Sequence, residues 1–161
     1  MIENKHIHLR DDTQKTLTVK PLHESLRHNC EYAADTIVLW CKIMMKDNKI
    51  EYVYFNGYCV RMGCCNFVET ISKRVISKPT IKVLSLRHCG LYALECEHIC
   101  KIMKKTSLLE EMDISSNNIR NGMMFILDGL SVNKTIKKMV MQNCVDYTDM
   151  GEMEKMLKNM L

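Results

Sequence analysis

The sequence predicts an α/β fold of repeated strand-and-helix units, stacked into a solenoid with a parallel β-sheet on its concave side and α-helices on its convex side. One apolar pattern occurs twice, as Ile81-x-x-Leu84-x-Leu86-x-x-Cys89-x-Leu91 and as Leu109-x-x-Met112-x-Ile114-x-x-Asn117-x-Ile119. The two copies begin 28 positions apart, and an amphipathic segment separates them. A period of this length leaves room for a strand and a full helix in each unit.

The same pattern continues in both directions with more substitutions. One copy begins at Ile50 and another at Ile136, where Asp146 replaces the final apolar residue. The intervals between copies are 31, 28 and 27 residues, as expected when strands stay in register and loops vary in length. We predict four repeats in residues 49–161, at about 50–80, 81–108, 109–135 and 136–161. Residues 1–48 are predicted to form a degenerate repeat or cap around Leu17, Val19 and Leu22.

Alternating positions within each copy indicate a short β-strand. In the copy at Ile81, Leu84 and Leu86 are predicted to face inward, and the residues that project to the concave side are Lys82, Val83, Ser85, Arg87 and His88. The ninth position has a different role, because the chain turns inward there and a small buried group must satisfy backbone donors and acceptors. The sequence predicts this structural ladder at Tyr58, Cys89, Asn117 and Cys144.

A helical pattern follows each strand. Apolar residues recur at spacings of three and four in five segments, at residues 33–44, 67–75, 96–103, 123–130 and 150–160. A polar exit such as Asn133-Lys134-Thr135 then leads into the next strand. These exits keep the repeat in phase.

With this ladder and an average period of about 28 residues, the chain resembles the ribonuclease inhibitor-like class of leucine-rich repeat proteins. Units of that class alternate cysteine and asparagine at the ninth position. The resemblance covers about residues 50–161 and implies a horseshoe segment, and Tyr58 and Asp146 depart from the pattern. The class includes enzyme inhibitors, innate immune sensors, a Ran GTPase-activating protein and actin pointed-end cappers, so the resemblance predicts the fold more specifically than the function.

Composition agrees with one domain whose core runs along the stack. The chain has 161 residues, of which 47% are apolar. No apolar stretch is long enough to cross a membrane, and the start Met1-Ile2-Glu3 does not resemble a signal sequence, so we expect a cytoplasmic location. The nine cysteines are expected to be reduced and buried, because most occupy apolar helix positions or the ladder.

Catalytic, metal and cofactor sites are not predicted. The sequence contains no glycine-rich phosphate loop, no nucleophile elbow and no paired metal-binding histidines. The strongest metal candidate is the set Cys89, Cys96, His98 and Cys100. On a helix, however, His98 points away from the face that Cys96 and Cys100 share. Adjacent Cys64 and Cys65 lie in a loop, where exposure would make them prone to oxidation.

The concave face is the predicted binding surface. Aligned strands place charges of alternating sign at the second position, in the order Glu51, Lys82, Glu110, Lys137. Strands about 4.8 Å apart allow such charges to pair. One interpretation is a ladder that neutralises itself and keeps the face soluble. The other is a mixed-charge docking surface for a protein, made of Tyr52, Tyr54, Lys82, Arg87, His88, Glu110, Glu111, Asp113, Lys137 and Lys138.

Nucleic acid and membrane partners are not expected. The net charge of +4 is modest, and Glu110, Glu111 and Asp113 interrupt the candidate surface. The carboxyl-terminal segment carries an apolar stripe of Met150, Met153, Met156, Leu157, Met160 and Leu161. Three explanations stay open for this stripe: the chain continues into a longer array, the flank mediates self-association, or the stripe packs within its own repeat.

These observations favour a non-enzymatic leucine-rich repeat module that binds a protein of unknown identity through its concave face and loops. Two alternatives differ in kind. One is a regulator of an enzyme in trans, such as a GTPase activator or an enzyme inhibitor. The other is a structural part of a larger cytoskeletal or ciliary assembly.

Overall fold

One six-stranded sheet forms the centre of the computed structural model, which describes residues 7–9, 16–19, 39, 50–57, 67–77 and 80–144. The strands follow one another across the sheet in chain order. They are β1 (Ile7–Leu9), β2 (Thr16–Val19), β3 (Tyr52–Phe55), β4 (Val83–Ser85), β5 (Glu111–Asp113) and β6 (Lys138–Val140). Strands β2 to β6 run parallel, which confirms the predicted parallel sheet. Strand β1 pairs antiparallel with β2 and was not predicted.

The register of the strands is the one predicted by aligning the copies of the pattern. Val53 pairs with Leu84, Leu84 with Met112, and Met112 with Met139. Leu17 of β2 pairs with Val53, so the alignment extends into the amino-terminal segment. A slip of one residue would turn each strand's apolar residues to the other face. The shared register therefore decides which side chains reach the core and which reach the opposite surface.

Three helices alternate with the strands in the described part of the chain: α1 (Phe67–Ser77), α2 (Ala93–Lys105) and α3 (Met123–Val132). A 3₁₀ turn, Arg120–Gly122, leads into α3. The apolar positions predicted for these helices are buried, with Leu130 partly buried. Each helix therefore packs the face that its three-and-four spacing marks as apolar.

The core lies between the helices and one face of the sheet. Leu84, Leu86 and Met112 are fully buried and form one cluster with helix residues such as Ile71 and Ile99. The rings of Phe55 and Phe67 meet edge to face, with centroids 5.6 Å apart at an interplanar angle of 80°. This leaves the other face of the sheet, here called the open face, for the residues at the third and fifth strand positions: Tyr52, Tyr54, Val83, Ser85, Glu111, Asp113, Lys138 and Val140.

A left-handed residue turns the chain after each of the strands β3 to β6. It occupies the eighth position of the pattern, at Gly57 (φ 80°), His88 (φ 53°), Ser116 (φ 59°) and Asn143 (φ 56°). The backbone N–H of Ser116 donates to the carbonyl oxygen of Gln142 in the next unit at 2.7 Å, and Gly57 and His88 make the equivalent bond. The apolar pattern did not predict this turn. Gly57 and Asn143 are nevertheless residue types that tolerate positive φ.

Close packing of α2 against the start of α3 depends on a missing side chain. A β-carbon at Gly122 would lie 2.9 Å from the α-carbon of Ala93 and 2.6 Å from the sulfur of Cys96. Because the Ala93 contact is backbone, the two helices would have to separate to accept any larger residue. Gly122 therefore sets the distance between these neighbouring units.

Some predicted features lie outside the described residues. They are the helical patterns at residues 33–44, apart from Leu39, which is helical, and at residues 150–160 with their apolar stripe. Tyr58, Leu22, Cys64, Cys65 and Asp146 also fall there. These features stay predictions.

Leu86→Asp should destabilise the fold by several kcal/mol, because Leu86 is fully buried and an unpaired carboxylate would enter the core. The matched control is Leu94→Asp, since Leu94 is 63% exposed in the first turn of α2. Chemical denaturation of both variants measures the difference. Equal stability of the Leu86 variant and the wild type would contradict the register described above.

Candidate functional site

Ion pairs join neighbouring strands at and beside the open face. Lys138 Nζ lies 2.8 Å from Glu111 Oε1, and Lys137 Nζ lies 2.9 Å from Glu110 Oε2. Lys82, which the aligned pattern also placed near Glu110, instead pairs with Glu51 at 2.9 Å. Each of these lysines thus bonds a glutamate of the preceding unit. The charges that alternate along the sequence are therefore neutralised between adjacent strands.

Two of these pairs raise the pKa of their lysines, Lys82 and Lys138, and do not make them reactive. The carboxylate of Glu51 raises the pKa of Lys82 through a hydrogen bond and its charge. Glu111 acts in the same way on the pKa of Lys138, with smaller contributions from Asp113 and Tyr54. Both lysines therefore stay protonated across the physiological range. A charged lysine of this kind can dock a partner but cannot serve as a nucleophile.

Two half-buried tyrosines, Tyr52 and Tyr54, occupy the β3 end of the open face. Burial raises the pKa of Tyr54, and the charge of Glu111 on β5 raises it further. The phenol of Tyr54 therefore interacts electrostatically with a carboxylate that lies two strands away. The tyrosines and the Glu111–Lys138 pair form one connected surface.

Two polar residues beside the tyrosines serve the fold itself. Ser85 was expected to project where a partner could reach it, but it is only 4% exposed and its hydroxyl donates to Asn56 Oδ1 at 3.2 Å. Asp113 accepts a hydrogen bond from the backbone N–H of Ser115 at 2.8 Å, so its carboxylate helps to shape its own turn. Ser85 is therefore removed from the set of reachable residues.

Arg87 and His88 lie at the edge of the sheet where β4 leads into α2. Both side chains are exposed. Arg87 forms no ion pair with any residue that the structure describes. In this respect it differs from the lysines of the open face.

The ninth position links each unit to the one before it. The Asn117 Nδ2 group donates to the Leu86 carbonyl at 2.8 Å, the Cys89 thiol to the Phe55 carbonyl at 3.3 Å, and the Cys144 thiol to the Ile114 carbonyl at 3.0 Å. Each acceptor is the sixth-position carbonyl of the preceding unit. Cysteine and asparagine can therefore alternate, because both supply a buried donor at this point. Tyr58, the remaining predicted member, lies outside the described residues.

Asn117 does more than either cysteine. Its Oδ1 atom accepts hydrogen bonds from the backbone N–H groups of Cys89 at 2.8 Å and Leu91 at 3.1 Å. Its Nδ2 group also donates to the carbonyl of Ile114 at 2.7 Å. One buried amide thereby satisfies backbone groups of two units.

The cysteines of the described segments behave as core residues. The side chains of Cys89, Cys96, Cys100 and Cys144 are all buried. Burial raises the pKa of Cys96 from 9.0 to about 12, and burial also raises the pKa of Cys100. A thiol with a raised pKa is a poor nucleophile and a poor metal ligand at neutral pH.

The part of the chain that the structure describes does not bring a set of metal ligands together. No group of three or more His, Cys, Asp or Glu side chains there is placed to hold a metal ion. Cys89 and Cys100 belong to the cysteine and histidine set that the sequence analysis rejected as a metal site. They have different partners, because the Cys89 thiol donates to the Phe55 carbonyl and Cys100 contacts Asp128 Oδ2 at 3.5 Å. Asp128 in turn pairs with Lys104 at 2.7 Å, across α2 and α3. Within these same ranges, no helix is long and apolar enough to cross a membrane.

Hydrogen bonds at the end of α3 give Asn133 and Thr135 of the exit Asn133-Lys134-Thr135 a structural role. Asn133 Nδ2 donates to the Met103 carbonyl at 2.6 Å, and Asn133 Oδ1 accepts from the backbone N–H groups of Thr135 and Ile136. The Thr135 hydroxyl donates to the Leu109 carbonyl at 2.9 Å. The predicted polar exit is therefore present, and the amide of Asn133 also joins neighbouring units, which the pattern did not predict.

Comparisons with known proteins concern the fold. No protein-family model matches the chain, and no curated protein sequence matches it. Among solved structures, it is similar to one described as leiomodin-1 actin-binding site 2, with a TM-score of 0.58 and 20% sequence identity. The similarity covers 77% of this chain and 72% of that one. It is consistent with a leucine-rich-repeat-like α/β fold.

Asn117→Ala should destabilise the fold by about 3 kcal/mol or more, because several buried backbone groups lose their partner. Asn117→Cys should cost less, since a thiol can still donate to Leu86 as the ladder cysteines do. The surface control is Asn118→Ala, which should change stability by about 0.5 kcal/mol or less because Asn118 is exposed. Urea denaturation ranks the three variants. A ranking in which Asn117→Ala and Asn118→Ala coincide would refute the role of the ladder.

The four described cysteines should resist iodoacetamide at pH 8 in the folded chain and react once it is unfolded, because their thiols are buried. Peptide mass spectrometry reads each site separately. Rapid labelling of Cys96 in the folded chain would contradict its burial.

The raised pKa of Cys96 also makes the stability of the fold depend on pH. Its contribution to stability is full below about pH 9 and declines as the pH rises towards 12, since the unfolded chain releases the proton first.

Proposed function

We propose that this chain is a leucine-rich repeat solenoid of the ribonuclease inhibitor-like class and acts as a non-enzymatic module that binds another protein. The binding surface is the open face together with the loops that follow its strands. The proposal rests on one observation: the described helices all pack on one side of the sheet, and the other side presents two tyrosines beside neutralised ion pairs. Such a surface offers contact area and hydrogen bonds without catalytic groups.

Tyr52 and Tyr54 are the proposed anchors. Their rings are already half buried, so a partner that covers them removes apolar area from water and orders little further side-chain freedom. Tyrosine is also among the residue types that dominate the binding energy of protein interfaces. The hydroxyl groups can bond a partner at the rim of the contact.

The charged residues set orientation more than affinity. A partner that docks over Glu110, Glu111, Lys137 and Lys138 meets charges that already satisfy one another across β5 and β6. Complementary charges steer encounter and suppress wrong partners, while paired charges add little binding energy. We assign the same role to Lys82 and Asp113, and place Arg87 and His88 at the margin of the contact.

A cytoplasmic location and the absence of a cofactor belong to the same proposal. Free, buried thiols at Cys96, Cys100 and Cys144 support a reducing compartment, because a secreted chain of this size would more often pair its cysteines. The bonds that hold the described units together are made by the protein's own side chains. A bound group is therefore not needed to complete them.

Membership of a cytoskeletal assembly is a second candidate. The observation in its favour is the structural similarity to leiomodin-1 actin-binding site 2. At 20% identity that similarity concerns the fold, so actin enters as the first purified protein to test.

The double variant Tyr52→Ala/Tyr54→Ala should lose most of the proteins that the wild-type chain enriches from lysate of its source cells, because it removes the proposed anchors. The matched control is Leu94→Ala/Met124→Ala, which removes exposed apolar side chains, 63% and 61% accessible, from the helical side. Quantitative mass spectrometry measures enrichment, and thermal melting verifies that all chains are folded. Partners retained by the tyrosine variant but lost by the control would move the binding surface to the helices. An absence of any tyrosine-dependent partner would overturn the proposal.

Purified actin is tested alongside, as filaments by co-sedimentation and as monomers by native electrophoresis. Binding that the tyrosine variant loses would assign the module to actin. Lack of binding to either form would reject the actin candidate and leave the lysate experiment to identify the partner.

A further inference from the structure

A second surface adjoins the open face at the edge where strands lead into helices. Parallel strands bring the loops after β4 and β5 to the same edge of the sheet. Arg87 and His88 lie in the first loop and Arg120 in the second, and all three side chains are exposed. We refer to these three residues as the basic edge.

The basic edge differs in charge balance from the open face. Residues 86–92 and 114–122, which include both loops, contain no Asp or Glu. The carboxylates that flank them have other partners: Asp113 accepts from Ser115, and Glu95 accepts from the backbone N–H of Tyr92 at 3.0 Å. The lysines at and beside the open face are neutralised by glutamates, whereas Arg87 and Arg120 form no ion pair with any residue in the described ranges.

Among the residues that the structure describes, the guanidinium groups at this edge have few partners. Arg120 uses its Nε–H in a 3.2 Å bond to Asn118 Oδ1, which holds the start of its fork against the loop. A guanidinium carries five N–H donors in a planar arrangement that matches the two oxygens of a carboxylate. The backbones of His88 and Arg120 have φ values of 53° and 39°, so tight turns fix the points from which these side chains leave the chain.

The helix ends add to the same potential. Both α2 and α3 begin at this edge, where the positive ends of their backbone dipoles lie. The first turn of α3 contains no acidic residue to offset that charge, in contrast to α2 with Glu95. Positive charge from side chains and from the backbone therefore lies along the same edge of the sheet.

We propose that the basic edge docks an acidic segment, rich in Asp or Glu, of the protein that binds the open face. This inference rests on the proposed function and adds the chemistry of the partner. Carboxylates suit the site because each can bond one guanidinium bidentately. A nucleic acid suits it less, since phosphate recognition needs a longer row of cations than these three residues provide.

The test uses fluorescein-labelled octaglutamate as the probe and fluorescence anisotropy as the readout, with the full chain at low ionic strength. The variant is Arg87→Ala/Arg120→Ala. The matched control is Lys73→Ala/Lys101→Ala, which removes the same amount of charge from α1 and α2, where these lysines pair with Glu69 and Glu97. A labelled octathymidylate serves as the competing nucleic acid, and thermal melting verifies folding.

The expected result is that octaglutamate binds the wild type and the lysine variant alike and binds the arginine variant about tenfold more weakly. Binding should also weaken with added salt. Equal losses in the two variants would show that net charge alone attracts the peptide and would overturn the inference. Failure of octaglutamate to bind the wild type, or tighter binding of octathymidylate, would overturn it too.

These outcomes are separable from failure of the proposed function. Peptide binding depends on Arg87 and Arg120, whereas lysate capture is judged by its dependence on Tyr52 and Tyr54. If tyrosine-dependent capture persists while octaglutamate fails, the acidic segment is wrong and the protein-binding module stands. If octaglutamate binds through the arginines while the wild type captures no protein, the proposed function is the part that has failed.

Discussion

The hydrogen bond from each ninth-position side chain to the unit before it is the interaction on which the stack depends. At Cys89, Asn117 and Cys144, a buried donor reaches the sixth-position carbonyl of the preceding unit. That carbonyl belongs to the last residue of β3, Phe55, and to the residues that immediately follow β4 and β5. A buried backbone group that loses its hydrogen-bond partner costs about 1–3 kcal/mol, so these donors contribute to the stability of the described units. Every interval between strands must therefore return this donor to the same place.

The ion pairs between strands and the basic edge both follow from that constraint. Because the units stack in register, side chains at equivalent positions become neighbours between strands. A glutamate at one unit and a lysine at the next then form a pair, as with Glu110–Lys137 and Glu111–Lys138. The same stacking gathers the strand-to-helix loops along one edge, where Arg87 and Arg120 have no such complement among the described residues. The neutralised ion pairs and the basic edge are thus two results of one repeated geometry.

Much of the fold could be predicted from sequence because its signal is periodic. Spacing alone predicted the parallel sheet, the register through Leu84 and Met112, and the buried faces of α1, α2 and α3. Strand β1 was missed because Ile7–Leu9 is short and carries no repeat pattern. The left-handed backbone at the eighth position was missed because His88 and Ser116, unlike Gly57, are not residue types that indicate positive φ in a sequence. The sequence predicted which face carries the candidate site. It predicted the ion pairs on and beside that face only in part, since Lys82 pairs with Glu51 and not with Glu110.

The sequence by itself determined the repeat, and with it which residues enter the core, because burial depends on periods of two and of three to four that can be read along the chain. Tertiary structure decided how polar groups are used. Whether Ser85 is reachable, whether Glu111 is a free anion and whether Asn117 joins two units all depend on what the neighbouring unit places within about 3 Å. Those neighbours stand 26 to 31 positions away in sequence, as Cys89 and Leu91 do from Asn117 and Leu86 does from its amide. Periodicity specifies the surfaces, and the contacts between units specify what each surface can bind.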